Sequence, residues 1–322
     1  MKAPAFWQRD GLLPALLAPL AAVYAAATAR RVAAQGWRAP VPVVCCGNAT
    51  AGGTGKTTLA LDLGARLAAR GLRVGFLTRG YGGRVAGAAR VGDDTAAAVG
   101  DEALLLAALA PTYVGANRAA SARLAVADGA QVLVMDDGLQ NPTLAKDLSL
   151  LVIDGEAGFG NGRVIPAGPL REPVGAAAAR CQAAVLIGAD RTGARTHLPP
   201  HLPVLAASLH AGPEAAALAG RRVLAFAGIG RPAKFRQTLL EAGLDVAELR
   251  GFADHHRYNE AELRRILADS GRISALPVTT PKDAVRLPAA WRDRVAVVGV
   301  RLEWADPAGL DALLDSVLGP AP

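Results

Sequence analysis

Lysine is scarce in this 322-residue chain: only Lys2, Lys56, Lys146, Lys234 and Lys282 stand among 35 basic residues. Arginine carries the rest of a net charge of +7, much of it traceable to a bias toward arginine and alanine codons. Such a balance favours anionic partners without choosing among nucleic acid, acidic lipid and phosphorylated substrate. Cysteine is scarcer still. Cys45, Cys46 and Cys181 are odd in number, and two are adjacent on an apolar run, which argues against a disulfide framework and against metal-ligand spacing. They read as reduced core thiols in a reducing, cytoplasmic compartment. Fixed-period repeats are lacking, as are low-complexity tracts beyond general alanine richness. With 52% apolar and 20% charged residues, the chain is globular rather than disordered, and its length suits one large or two modest domains.

Charge is missing altogether from "GLLPALLAPLAAVYAAATA", residues 11–29. The length touches the threshold for crossing a bilayer, about 20 residues. Pro14, Pro19 and the alanine-rich second half weaken it as a span, while Trp7, Tyr24 and the flanking arginines resemble interfacial anchors. Residues 1–38 are therefore expected to form a membrane-associating helix, with a helix buried on a sheet and a full span as alternatives. A cleaved signal peptide is disfavoured, because Lys2, Arg9 and Asp10 precede the apolar run and a nucleotide-type motif follows it.

From residue 39 onward, short β-rich runs alternate with helical stretches, which predicts a parallel sheet sandwiched by helices. Strands are expected at 41–46, 73–78, 131–137, 148–154 and 183–189, and helices at 57–70, 101–110 and 117–128. Residues 190–221, rich in Gly, Pro and His, read as a linker region. A second alternation follows, with "VAVVGVRLEW" (295–304) as its last strand. The expected division is a P-loop NTPase-like domain over 39–210, a smaller α/β domain over 211–305, and a helix over 306–322 that can pack on either.

The chemistry concentrates in "GNATAGGTGKTT", residues 47–58. Gly52, Gly53 and Gly55 let successive backbone N–H groups turn toward one anion, and the helix starting near Lys56 adds its positive dipole end. Lys56 reaches β- and γ-phosphates, and Thr57 supplies a hydroxyl suited to Mg²⁺. Thr50, Ala51, Thr54 and Thr58 complete the nucleotide-binding loop. "QVLVMDD" ends in Asp136 and Asp137, either of which can hold the metal directly or through water. Partition-type switch ATPases carry a lysine where this chain has Ala51, which disfavours a membrane-associated ATPase switch acting on a protein partner, the alternative reading.

The loop, "LTRGYGG" (77–83), "VGDEALLLA" (99–107), "DDGLQN" (136–141), "GFGNGRVIPAGPLREP" (158–173), "FAGIGRPAKF" (226–235), "FADHHRY" (252–258) and "VTTPKDAVRL" (278–287) occur in the order and spacing of the tetraacyldisaccharide 4'-kinase (lipid A 4'-kinase) family, which the chain resembles over essentially its whole length. The resemblance accounts for Thr50, since the family's loop characteristically lacks a glycine there. It implies transfer of the γ-phosphate of ATP, with Mg²⁺, to the 4'-hydroxyl of a tetraacyldisaccharide 1-phosphate, giving the 1,4'-bisphosphate (lipid IVA). The setting it implies is the cytoplasmic face of the bacterial inner membrane, with no nucleic acid and no obligate protein partner. On this reading Asp101 of "GDE" is the candidate base, helped by a histidine of "DHH", His255 first and His256 second. Glu102 joins the metal shell or orients Asp101, Arg171 clamps phosphate, and Arg79 and Tyr81 contact substrate. Asn141 departs from the histidine that many family members carry there, and Lys282 and Asp283 are left outside the expected site.

Overall fold

A computed structural model describes residues 4–319; the outermost three residues of each expected terminal segment lie outside the described residues. The strands along the first part of the chain are β1 (Val43–Gly47), β2 (Val74–Thr78), β3 (Ala89–Arg90), β4 (Thr112–Val114), β5 (Val132–Asp136), β6 (Leu148–Asp154), β7 (Ala183–Ile187) and β8 (Val204–Ala211). They are followed by β9 (Arg222–Ala227), β10 (Asp245–Gly251), β11 (Leu276–Thr279), β12 (Ala296–Val297) and β13 (Val300–Trp304). Two sheets result. The larger has the order β13-β8-β7-β6-β1-β5-β2-β4-β3, parallel except for its two antiparallel edge strands, and the smaller is the parallel β10-β9-β11-β12.

Uninterrupted burial along β1, β2, β5, β6 and β7 explains why these runs are continuously apolar, as strands covered on both faces must be. Side chains alternate between the faces, so Val44 and Cys46 join one core while Val43 and Cys45 join the other. The helix Lys56–Ala69 lies on the first face through Leu59, Leu63 and Leu67, a four-residue repeat. Gly64 lets this helix approach, because a Cβ there would stand 2.2 Å from the Phe76 ring.

Two expectations are corrected by the topology. The segment 190–221 is not all linker: β8 forms within it and pairs with β7 in parallel. Residues 295–304 do not make one strand of the smaller unit. The run divides at Val298 and Gly299, with β12 on β11 and β13 crossing to the larger sheet to pair with β8. The helix Pro307–Leu318 then packs Leu310 and Leu314 into the core of the larger sheet. Arg70 fixes that arrangement by pairing with Asp311 and Asp315 at 2.8 and 2.7 Å.

The amino-terminal helix covers Leu12–Val32, with Pro14 in its first turn and Pro19 inside. Its packed side is a narrow stripe of Pro14, Leu17, Ala21, Ala25 and Thr28, of which Leu17, Ala21 and Ala25 meet the core that contains Phe159, Val164 and Ala167. Leu12, Leu16, Leu20 and Val23 face outward, Leu12 being 86% and Leu16 76% exposed. The buried-helix alternative therefore fails for most of its surface.

Candidate active site

The phosphate-type loop joins β1 to the helix Lys56–Ala69, with Gly52 at φ 129° and Gly55 at φ 91°. Those are conformations open chiefly to glycine. Thr50 needs no such freedom and has a different task. Buried Asn48 donates from Nδ2 to Thr50 Oγ1 and Thr54 Oγ1, each at 3.1 Å, bracing the loop from inside. A backbone strap closes it from outside: the Ala51 N–H donates to the Pro169 carbonyl at 2.7 Å, and the Arg171 N–H donates to the Ala49 carbonyl at 2.6 Å.

β5 runs beside β1 and delivers its terminal acids to this loop. Thr57 Oγ1 donates to Asp136 Oδ2 at 3.0 Å, while the buried Oδ1 has no partner among the described residues. Burial, followed by the charges of Glu102 and Asp137, pushes the Asp136 carboxyl up to about 7. A hard divalent cation suits this arrangement: a hydroxyl, an orphan carboxylate oxygen and a loop built for phosphate. Among the described residues no group of three His, Cys, Asp or Glu side chains converges as a closed metal cage, so Mg²⁺ would take further ligands from phosphate and water. Magnesium therefore fits the donor set as a nucleotide-bound ion.

Asp137 serves the cations. Arg171 donates to its Oδ1 at 2.7 Å and its Oδ2 at 3.1 Å, and Lys56 Nζ lies 3.9 Å away. Burial would raise this carboxyl, but Lys56 and Arg171 outweigh it and hold it below the usual range. Asp137 adopts φ 51°, a strained conformation for a side chain with a Cβ, of the kind that clusters at functional sites. Buried Arg118, which sequence reasoning passed over, has a lowered pKa of about 10 through burial, partly offset by Asp137 and Asp136.

The second half of the site crosses between the sheets. Asp101 opens the helix Asp101–Ala107 of the larger domain, and His255 sits at φ 58° in the smaller one. His255 Nδ1 meets Asp101 Oδ2 at 3.1 Å, and Arg286 pairs with the same oxygen. Burial opposes ionisation of Asp101, yet His255 and Arg286 together hold it well below the usual carboxylate range. Conversely, the bond to Asp101 raises the proton affinity of His255. Lys282 binds Glu102 at 2.8 Å. Tyr81 places its ring 5.8 Å from that of His255.

Close backbone contact fixes Asp101. A Cβ on Gly100 would stand 2.5 Å from the Tyr81 carbonyl oxygen, and one on Gly83 2.5 Å from that of Ala98, so the "RGYGG" turn and the "GDE" helix start interlock. The other histidine is engaged away from Asp101. His256 Nε2 meets Glu262 at 3.1 Å and stacks on Phe252, while Glu262 completes the capping box of the helix Glu260–Arg272. Asn141 supports its own loop, donating to the Ala116 carbonyl at 3.0 Å and accepting from Thr143. Residues left out of the expected site contact its candidate residues: Lys282 holds Glu102, while Asp283 accepts from Gly228 N and the Tyr258 hydroxyl and pairs with Arg286, the partner of Asp101. The i, i+3 pair of opposite charges Asp283 and Arg286, separated by Ala284 and Val285, was the available signal.

Residues 13–319 match the profile of the family described as tetraacyldisaccharide-1-P 4'-kinase. A curated relative from Gluconacetobacter diazotrophicus named tetraacyldisaccharide 4'-kinase is 59% identical, over 100% of this chain and 99% of its own. One of the same name from Rhodospirillum centenum is 55% identical over 99% and 97%. A crystal structure described as an "apo" form of LpxK from Aquifex aeolicus in complex with ATP superposes with a TM-score of 0.77 at 25% identity, covering 95% of this chain and 100% of that one.

Proposed function

Because the chain belongs to the tetraacyldisaccharide 4'-kinase family, we propose a division of labour among its residues for the transfer that family performs. The enzyme passes the γ-phosphate of ATP to the 4'-hydroxyl of a tetraacyldisaccharide 1-phosphate in lipid A synthesis. Gly52, Gly53 and Gly55 cradle the phosphates with backbone N–H groups, and Lys56 neutralises their charge. Thr57 and Asp136 would hold Mg²⁺, which when bound offsets charge on the phosphate oxygens and orients them. Asp137 keeps Lys56 and Arg171 in place, so that Arg171 is poised to meet phosphate oxygens with its planar fork.

The proton of the acceptor hydroxyl passes to the Asp101–His255 pair. Asp101 alone, held acidic by Arg286, is a weak acceptor. His255 supplies the affinity that Asp101 lacks and is oriented by it, so the two act as a unit. Glu102 and Lys282 hold the two domains in the register this contact requires. The outward leucines of the Leu12–Val32 helix, with Arg30 and Arg31 in its last turn, suit attachment to an anionic membrane surface, the cytoplasmic face of the inner membrane.

One observation carries this reading: Glu102, next to Asp101, lies near enough to Asp136 for its charge to raise that carboxyl, which sets the phosphate loop and Asp136 beside the Asp101–His255 pair. Incubation with Mg-ATP and the tetraacyldisaccharide monophosphate is expected to yield the bisphosphate by mass spectrometry. Absence of product from a folded, ATP-binding sample would overturn it. Replacing His255 by Ala should lower kcat about 100-fold or more, with little change in the KM for ATP.

A further inference from the structure

Beneath the carboxyl end of the apolar helix lies a cavity of about 270 Å³, separate from the nucleotide loop and lined in part by Gly36, Asn141, Lys146, Ser149 and Arg180. Its size is below the roughly 300–1,000 Å³ of sites for whole drug-sized ligands and suits a single headgroup. Lys146 is the unusual member. The other lysines among the described residues each face a carboxylate: Lys56 has Asp137, Lys234 has Asp154 and Lys282 has Glu102. Lys146 Nζ donates only to the Asn141 backbone carbonyl, at 2.6 Å, and among the described residues has no acid within ion-pair distance. Burial disfavours its charge, so an ammonium kept there without a counter-ion is costly unless an anion visits it.

Arg180 stands beside it, already paired with one acid but lining the same cavity. One Nη donates to Glu172 at 2.7 Å and the other to the Ala176 carbonyl at 2.9 Å. Glu172 also accepts from Gln140 at 2.8 Å, and Gln140 accepts from Arg171 at 3.3 Å, so a continuous polar chain leads from this cavity to Asp137. Arg30 and Arg31 end the helix above it.

We propose that the cavity binds a lipid-borne phosphate, with Lys146 as the principal charge and Arg180 as the second. The inference rests on the kinase reading, since the natural bearer is the phosphate the acceptor already carries. The test compares the full chain, Lys146→Met, Lys146→Arg and Arg180→Gln on two acceptors, one with its 1-phosphate and one without, in mixed vesicles.

Lys146→Met is expected to raise KM for the phosphorylated acceptor about tenfold while leaving KM for ATP and for the dephosphorylated acceptor within twofold. Lys146→Arg should restore it, and Arg180→Gln should cause a smaller loss. Equal losses on both acceptors, growing with the phosphatidic acid content of the vesicles, would support the same site filled by a phospholipid phosphate instead. Unchanged KM values for the folded variants, with unchanged vesicle binding, would overturn the proposal. Should Lys146→Met not fold, Arg180→Gln carries the same comparison. A wild-type chain that phosphorylates neither acceptor would refute the kinase reading, which is a different result.

Discussion

At the scale of the residue, Asp101 and His255 set opposite demands on pH. Asp101 is more acidic folded than its ordinary 3.8, so its stabilising contribution is present above that value and is lost as pH falls through its folded pKa. His255 is less acidic folded than its ordinary 6.5, so its contribution is complete below 6.5 and is lost as pH rises through its folded pKa. The melting-temperature advantage of wild type over His255→Gln should therefore be widest between about pH 4 and 6.5. Transfer needs the imidazole neutral, so kcat should still be rising with pH above 6.5 where that advantage fades. Asp283→Ala should cost about 3–5 kcal/mol by urea titration, because it strips the acid from the Arg286 and Tyr258 network in a fully buried position. The loop, Asp136, Asp101 and His255 were legible because their residue types stand at strand ends or in family motifs. Arg286 and Arg118 were not, since an arginine in a turn, like Arg286, or at the start of a helix, like Arg118, reads as solvated until the tertiary fold buries it.

At the scale of the element, the Leu12–Val32 helix is legible in kind and not in orientation. Its sequence is apolar through most of its length, and only the packing of Leu17, Ala21 and Ala25 against the core that contains Val164 decides which leucines turn outward. Leu16→Glu with Leu20→Glu should abolish sedimentation with anionic vesicles while leaving ATP binding and the melting temperature nearly unchanged. Loss of folding instead would show that those side chains are core. The central strands were equally legible from their unbroken apolar runs, whereas β8, with its half-buried alternation, was lost among neighbouring Gly and Pro. The division between β12 and β13 was hidden for another reason: no turn signal beyond a single glycine separates them, and which sheet edge receives each is a tertiary choice.

At the scale of the whole molecule, the site is assembled from two cores that touch through Asp101, His255, Glu102, Lys282 and Arg286. A second bridge ties Arg231 to Asp154 and Glu156, and Lys234 lies 3.7 Å from each of these acids. Arg231→Glu should therefore lower kcat without touching any reacting group, with ATP affinity as the unaffected control. The return of the chain to β13 bears on how the two cores are joined. Ala211 pairs with Val300 across the antiparallel ladder, and the Gly212 N–H meets the Gly299 carbonyl at 2.9 Å. The smaller domain is thus an insertion at the tip of what would otherwise be a β-hairpin. Deleting residues 213–298 would leave Gly212-Gly299 as its two-residue turn, a pairing such turns accept. The shortened chain should fold, bind Mg-ATP and transfer nothing, a nucleotide-binding module with its proton acceptor unplugged.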